Sequence, residues 1–73
     1  MQKNYILKGL SSALIAAKAE EEIKKINHIT DVQINFFTTK MLINTNGGDI
    51  TLIEEQIKRI LFNINPKVEF EQI

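Results

Sequence analysis

Hydrophobic period changes divide the 73 residues into six segments. Tyr5-Ile6-Leu7 reads as a short strand closed by the Lys8-Gly9 break. Ser11 or Ser12 then offers a helix N-cap, after which Ala16, Ala19, Ile23 and Ile26 recur at helical spacing as far as Asn27-His28. The small residues Ala13, Ala16, Ala17 and Ala19 suit this helix to lying close against a sheet. From Asp31 the period becomes two, with Val32, Ile34 and Phe36 on one face and Gln33 and Asn35 on the other. Phe37-Thr38-Thr39 reads as a turn, and Lys40 to Asn44 returns as a strand with Met41 and Ile43 inward, making a hairpin.

Asn46-Gly47-Gly48 is the strongest loop signal in the chain. Thr51-Leu52-Ile53-Glu54 fits a capping box for a second helix, with Asp49 as the competing N-cap. Ile50, Ile53, Ile57 and Ile60 form its apolar stripe, and Asn63 to Pro66 stops it, because proline disfavours helical geometry in the residue before it. Val68 and Phe70 alternate with Glu69 and Glu71 in a final strand. Strand-helix-strand thus occurs twice, with the join near Phe37-Thr38. The expected fold is α+β and ferredoxin-like, a split β-α-β (βαββαβ) with a four-stranded antiparallel sheet and both helices on one face. One domain should span residues 1–73.

Composition narrows the function. A chain this short buries only roughly 60% of the surface its unfolded form exposes, so stability should be marginal. There is no cysteine, so neither a disulfide nor a thiolate metal site can staple it. The core is left to Ile, Leu, Val, Phe and Ala, within a composition that is 44% hydrophobic. Nine basic residues balance nine acidic ones, and this argues against nucleic acid as a partner, since neutralising phosphates needs a positive excess or stripe. Glu20, Glu21 and Glu22 followed by Lys24 and Lys25 read as a solvated helix face with i,i+4 pairs. No apolar run approaches the ~20 residues that span a bilayer, and no signal-peptide pattern opens the chain. The expectation is a cytoplasmic domain that does not itself insert into a membrane, free or as the cytosolic part of a membrane protein.

The stretch Leu7-Lys8-Gly9-Leu10-Ser11-Ser12-Ala13-Leu14-Ile15-Ala16-Ala17-Lys18, with Glu20 beyond it, resembles the signature of heavy-metal-associated domains. In that family the pattern is Leu-Lys-Gly-Leu-Ser-Cys-x-x-Cys-Ala-Ala-Lys. The similarity continues through Glu21 to Ile26, Val32 to Phe36, Lys40 to Ile43 and Pro66 to Phe70. The closing Asn-Pro-x-Val-Glu segment is most similar to N-terminal domains of zinc- and cadmium-exporting P-type ATPases. The resemblance implies a regulatory or docking module at the N-terminus of such a pump, with the pump's cytosolic domains or another protein as partner.

The departure falls on the chemistry. Ser12 stands where the family has its first cysteine and Ile15 where it has its second. The family's two thiolates sit on the loop and first helical turn, where N–H groups and the positive end of the helix dipole favour anionic sulfur. Soft thiolates select copper(I), zinc and cadmium. A serine hydroxyl cannot replace a thiolate, and an isoleucine ligates nothing. The resemblance therefore implies a degenerate domain with no metal in the family's usual site and no cofactor.

Other features divide between a functional and an ordinary reading. Ser12 is a relic of a metal loop or simply a helix N-cap. Ile15 covers the former site, or projects onto Leu10 or Phe36, and Leu14 with Ile15 could form a partner-contact patch. His28, the only histidine, reads as a surface residue at a helix end, since zinc needs three or four converging ligands. Glu69 and Glu71 share an outward face and read as solvated charge. No catalytic constellation is present: there are only two serines, and the histidine has no evident triad partner. Gly47-Gly48 lies in neither a P-loop nor a dinucleotide fingerprint. The expectation is a non-enzyme. Two alternatives share the topology. One is a small-molecule-binding ACT-like regulatory domain with its ligand near Gly9, and the other is a protein–protein interaction module, including self-association through a sheet edge weakly guarded by Lys67 and Glu69.

Overall fold

The first strand outruns its apolar residues. In the computed structural model, which describes residues 1–73, β1 spans Gln2–Lys8 and buries Tyr5 and Leu7 on one face. Polar Gln2 and Asn4 join it because it is central: it pairs antiparallel with β3 (Lys40–Thr45) and with β4 (Glu69–Gln72). The remaining elements are α1 (Ala13–Lys24), β2 (Ile29–Asn35) and α2 (Ile50–Ile64). Strand order is β2-β3-β1-β4 with every neighbour antiparallel. This is the expected βαββαβ arrangement. Tyr5, Leu7, Val32, Met41 and Ile43 of the sheet and Ala19, Ile23, Ile53, Ile57 and Leu61 of the helices join in one core cluster, so both helices lie on the same face.

The boundaries correct several expectations. Ser12, not Ser11, caps α1, its Oγ accepting the Ile15 N–H at 3.2 Å. The helix ends at Lys24, and Ile26 N–H already bonds three residues back to Ile23. His28 is exposed in the following turn with φ 75°, its ring where a Cβ on Gly48 would come within 2.7 Å. β2 begins before Asp31, with a bulge between Ile29 and Asp31. Phe36 belongs to the hairpin turn, not to the strand, because Asn35 Oδ1 accepts the N–H groups of Phe37 and Thr38 at 2.9 and 3.1 Å and ends the ladder.

Asp49 caps α2, accepting from Thr51 N–H at 2.9 Å. The Thr51–Glu54 capping box does not form, because Thr51 is already inside the helix. The apolar stripe includes Leu61, which is buried, while Ile50 and Ile60 are only half-buried. Val68 lies just outside β4.

Core composition also differs. Tyr5 and Met41 are buried and no phenylalanine is; Phe37 is 92% exposed and Phe62 64% exposed. The helix charges do not form i,i+4 pairs. Lys25 and Glu22 meet at 3.2 Å with i,i+3 spacing on the surface, where such a pair contributes little. Glu20 is no mere solvated charge, since its Oε2 accepts the Ile34 N–H from β2 at 2.9 Å.

Tyr5 ties the sheet to α2 through its side chain. Its hydroxyl donates to Glu54 Oε2 at 2.8 Å, joining β1 to α2, and its ring stacks on Phe70 at 4.6 Å. Burial first, then the hydrogen bond and negative charge of Glu54, raise its phenol above the ordinary tyrosine range. The native state therefore holds this proton more tightly than the unfolded chain does. The resulting stability is complete below about pH 10 and is lost as pH climbs beyond it. Tyr5→Phe should cost about 1 kcal/mol at pH 7 and flatten the alkaline fall in stability. Urea titrations of both proteins at pH 7 and above pH 10 check this.

Candidate functional site

The β1–α1 loop is shaped by contact with the α2–β4 loop. Gly9 has φ +93°, and a Cβ there would sit 2.8 Å from the Lys67 carbonyl oxygen. Only glycine meets both demands. Asn65 ties the loops together: its Nδ2 donates to Gly9 O at 3.3 Å while its Oδ1 accepts from Lys67 N–H at 3.0 Å. Its backbone N–H closes α2 on Leu61 O at 2.8 Å, and its carbonyl accepts from Val68 N–H at 3.1 Å. The sequence marks this stretch only as a stop before Pro66. A buttress role for Asn65 could have been suspected from asparagine's dual donor and acceptor groups, but not its partner, 56 residues away.

Beyond Gly9 the chain places Leu10, half-buried, against the core. Ser12 turns it into α1 from an extended conformation, φ −163° and ψ 161°. Its hydroxyl is engaged as a cap, and its carbonyl accepts Ala16 N–H at 3.1 Å. Leu14 points away from the core and is 79% exposed. Ile15 is half-buried and faces α2, not Phe36 as one sequence reading had it. It lines an open cleft of about 450 Å³ with Lys18, Glu22, Ile60, Asn63 and Ile64. The hairpin turn bearing Phe37 lies at the same end of the molecule, since Leu7 N–H reaches Thr39 O at 2.7 Å.

The donor set here is poor. The chain has no cysteine, and no group of three or more His, Asp or Glu residues is placed to hold a metal ion. At the loop, Ser12 Oγ is occupied by a backbone N–H and Ile15 presents carbon, so these two residues do not fit a thiophilic ion. Glu69 pairs with Lys8 at the start of the loop and Glu71 with Ile6 farther along β1, while His28 lies beside Gly48, so the three do not converge on a common point. The space beside Gly9, where a small-molecule ligand was one expectation, is filled by the chain's own Lys67 carbonyl. No helix is long and apolar enough to cross a membrane.

These features define a ferredoxin-like βαββαβ domain whose first helical turn exposes Leu14 beside half-buried Ile15. The sequence matches no protein-family model and no curated protein. Solved structures do match. A copper transporter domain of yeast superposes with a TM-score of 0.76 at 11% identity, over 99% of this chain and 93% of that one. The N-terminal domain of a potential copper-translocating P-type ATPase from Bacillus subtilis gives 0.76 at 14%, over 97% and 84%. The N-terminal domain of ZntA in its apo form gives 0.76 at 18%, over 99% and 90%. At such identities the likeness establishes the fold, the one carried by heavy-metal-associated domains. It does not separate zinc from copper types, since both superpose equally well.

Proposed function

We propose that this chain is a degenerate heavy-metal-associated domain, a non-catalytic regulatory or docking module of a heavy-metal-transporting ATPase of the zinc/cadmium type. Its β1–α1 loop holds no heavy metal and works as a contact surface toward the pump's cytosolic domains. The observation that carries this reading is the pairing of a kept loop with lost ligands. Gly9, Leu10 and the Ser12 cap build the turn, while the two ligand positions hold Ser12 and Ile15 beside an exposed Leu14. A large aliphatic side chain left in water at the start of a helix, next to a cleft where Ile15, Ile60 and Ile64 meet a charged rim, suits association better than ion capture. The Asn65-Pro66-x-Val68-Glu69 ending favours the zinc/cadmium type over the copper type.

Titrating the labelled chain with the purified ATP-binding domain and actuator domain of a zinc-exporting ATPase tests the docking half. Amide shifts should centre on Leu14, Ile15, Ile60 and Ile64, and Leu14→Asp should weaken binding at least about tenfold, the loss of a buried leucine side chain. Because Leu14 is exposed, that variant should keep its thermal midpoint. Shifts elsewhere, or unchanged binding by Leu14→Asp, would overturn the assignment of this surface.

A further inference from the structure

The two edges of the sheet are finished differently. β2 forms one edge and β4 the other. On β2 the outward N–H of Ile34 is taken by Glu20 of α1 at 2.9 Å, so the helix blocks that edge at one position. β4 has no such cover. Ile73 N–H donates to Asn4 O at 3.1 Å, and the alternation of an antiparallel ladder then directs the main-chain groups of Glu69 and Glu71 toward β1. Those of Phe70 and Gln72 face outward with no strand beside them. Next to them runs an open groove of about 460 Å³ with Leu61, Phe62, Val68 and Phe70 along it and Lys58 on its α2 rim.

From this edge we infer that β4 accepts an extended segment of a partner protein as a fifth strand, one that alternates basic with aliphatic or aromatic residues. The register sets the pattern. Side chains of an added strand fall alternately on the open face of the sheet and on the helix side. On the open face they meet Glu69 and Glu71, of which only Glu69 lies opposite a lysine, Lys8, while Glu71 lies opposite Ile6. On the helix side they meet the apolar surfaces of Phe62, Val68 and Phe70, which suit aliphatic or aromatic residues, while the groove's one base, Lys58, is offset by the two glutamates that also border it. A second copy of this chain is a poor occupant, because antiparallel pairing of β4 with itself sets glutamates against glutamates.

Two capped octapeptides, one alternating arginine with valine and one alternating glutamate with valine, test this against the labelled chain by amide NMR and hydrogen exchange. Only the arginine peptide should bind, with the largest shifts and slowed exchange at Phe70 and Gln72. Glu69→Lys with Glu71→Lys should weaken it about tenfold and improve the glutamate peptide, as reversed cross-strand charges require. Gln72→Pro, which removes one outward N–H at an edge position that tolerates proline, should also weaken it with the β1–β3 amides unmoved. Equal binding of both peptides, no binding by millimolar concentration, or shifts confined to the β1–α1 loop would overturn the inference. So would concentration-dependent protection of Phe70 and Gln72 in the chain alone, which would assign the edge to a second copy.

Discussion

Replacing Ser12 and Ile15 together by cysteine should turn the β1–α1 loop into a heavy-metal site. Position 12 is the N-cap of α1 and position 15 lies in its first turn, so side chains three residues apart rise on the same side of the helix start. The Ser12 oxygen already lies 3.2 Å from a free-end N–H of that turn. Sulfur at the same place would meet the same donor and the positive end of the dipole, which lower a thiol pKa. The expected gain is from no binding at millimolar zinc or copper(I) to micromolar or tighter. That is at least about a thousandfold, or about 4 kcal/mol. Either single variant should gain far less, because one thiolate cannot chelate. Chelator competition measures all three. A double variant that folds and still fails to bind would mean that the loop's geometry, and not only its side chains, is unsuited to a heavy metal.

The second large effect is expected at Gly9. Gly9→Ala adds a Cβ in a backbone conformation that L side chains rarely adopt, and puts it 2.8 Å from main-chain oxygen of Lys67. Neither the strain nor the clash yields to a rotamer change, because both are set by backbone. Forcing φ positive costs about 1–2 kcal/mol and displacing a packed neighbour about 1–3 more. A total near 3 kcal/mol is a large share of the stability of roughly 5 kcal/mol held by a domain this small. Urea unfolding should show the loss. Amide shifts in the part that stays folded should reach Asn65 and Lys67 as well as Leu10, because the two loops move together. Gly47→Ala is the control. That glycine also has positive φ but has no atom within 4 Å of its missing Cβ, so strain alone remains.

The element order was legible because each segment states its period. Val32 and Ile34 alternate with Gln33 and Asn35, whereas Ala16, Ala19 and Ile23 step by helical turns. Boundaries were less so, where local chemistry competes. Asp49 and Thr51 both invite a cap, and only the path of the chain after Gly48 decides for Asp49. Phe36 continues a strand pattern in sequence, but Asn35 bends the backbone one residue earlier. Contacts between distant segments were not legible at all. Nothing near Tyr5 announces Glu54, nothing near Glu20 announces the edge of β2, and Gly9 gives no sign of Lys67.

Exposure of aromatics was the other blind spot. Composition counted phenylalanine among the core residues, yet the core fills with Tyr5, Met41 and aliphatics and leaves Phe62, like Phe37 of the turn, in water. At the candidate site, Ser12 could be read as a cap from its residue type alone. The direction of Ile15 toward α2 needed the packing of two helices that the sequence does not fix.

One measurement bears most directly on the claim that the loop has exchanged metal binding for contact. The unaltered chain is titrated with zinc, cadmium and copper(I) in competition with chelators of graded affinity, and its amide spectrum is followed. The account predicts no shifts between Ser11 and Ala17 below millimolar metal, with the fold unchanged throughout. Micromolar or tighter binding localised to those residues would contradict it, and would require oxygen or nitrogen ligands at the loop in place of the missing thiolates.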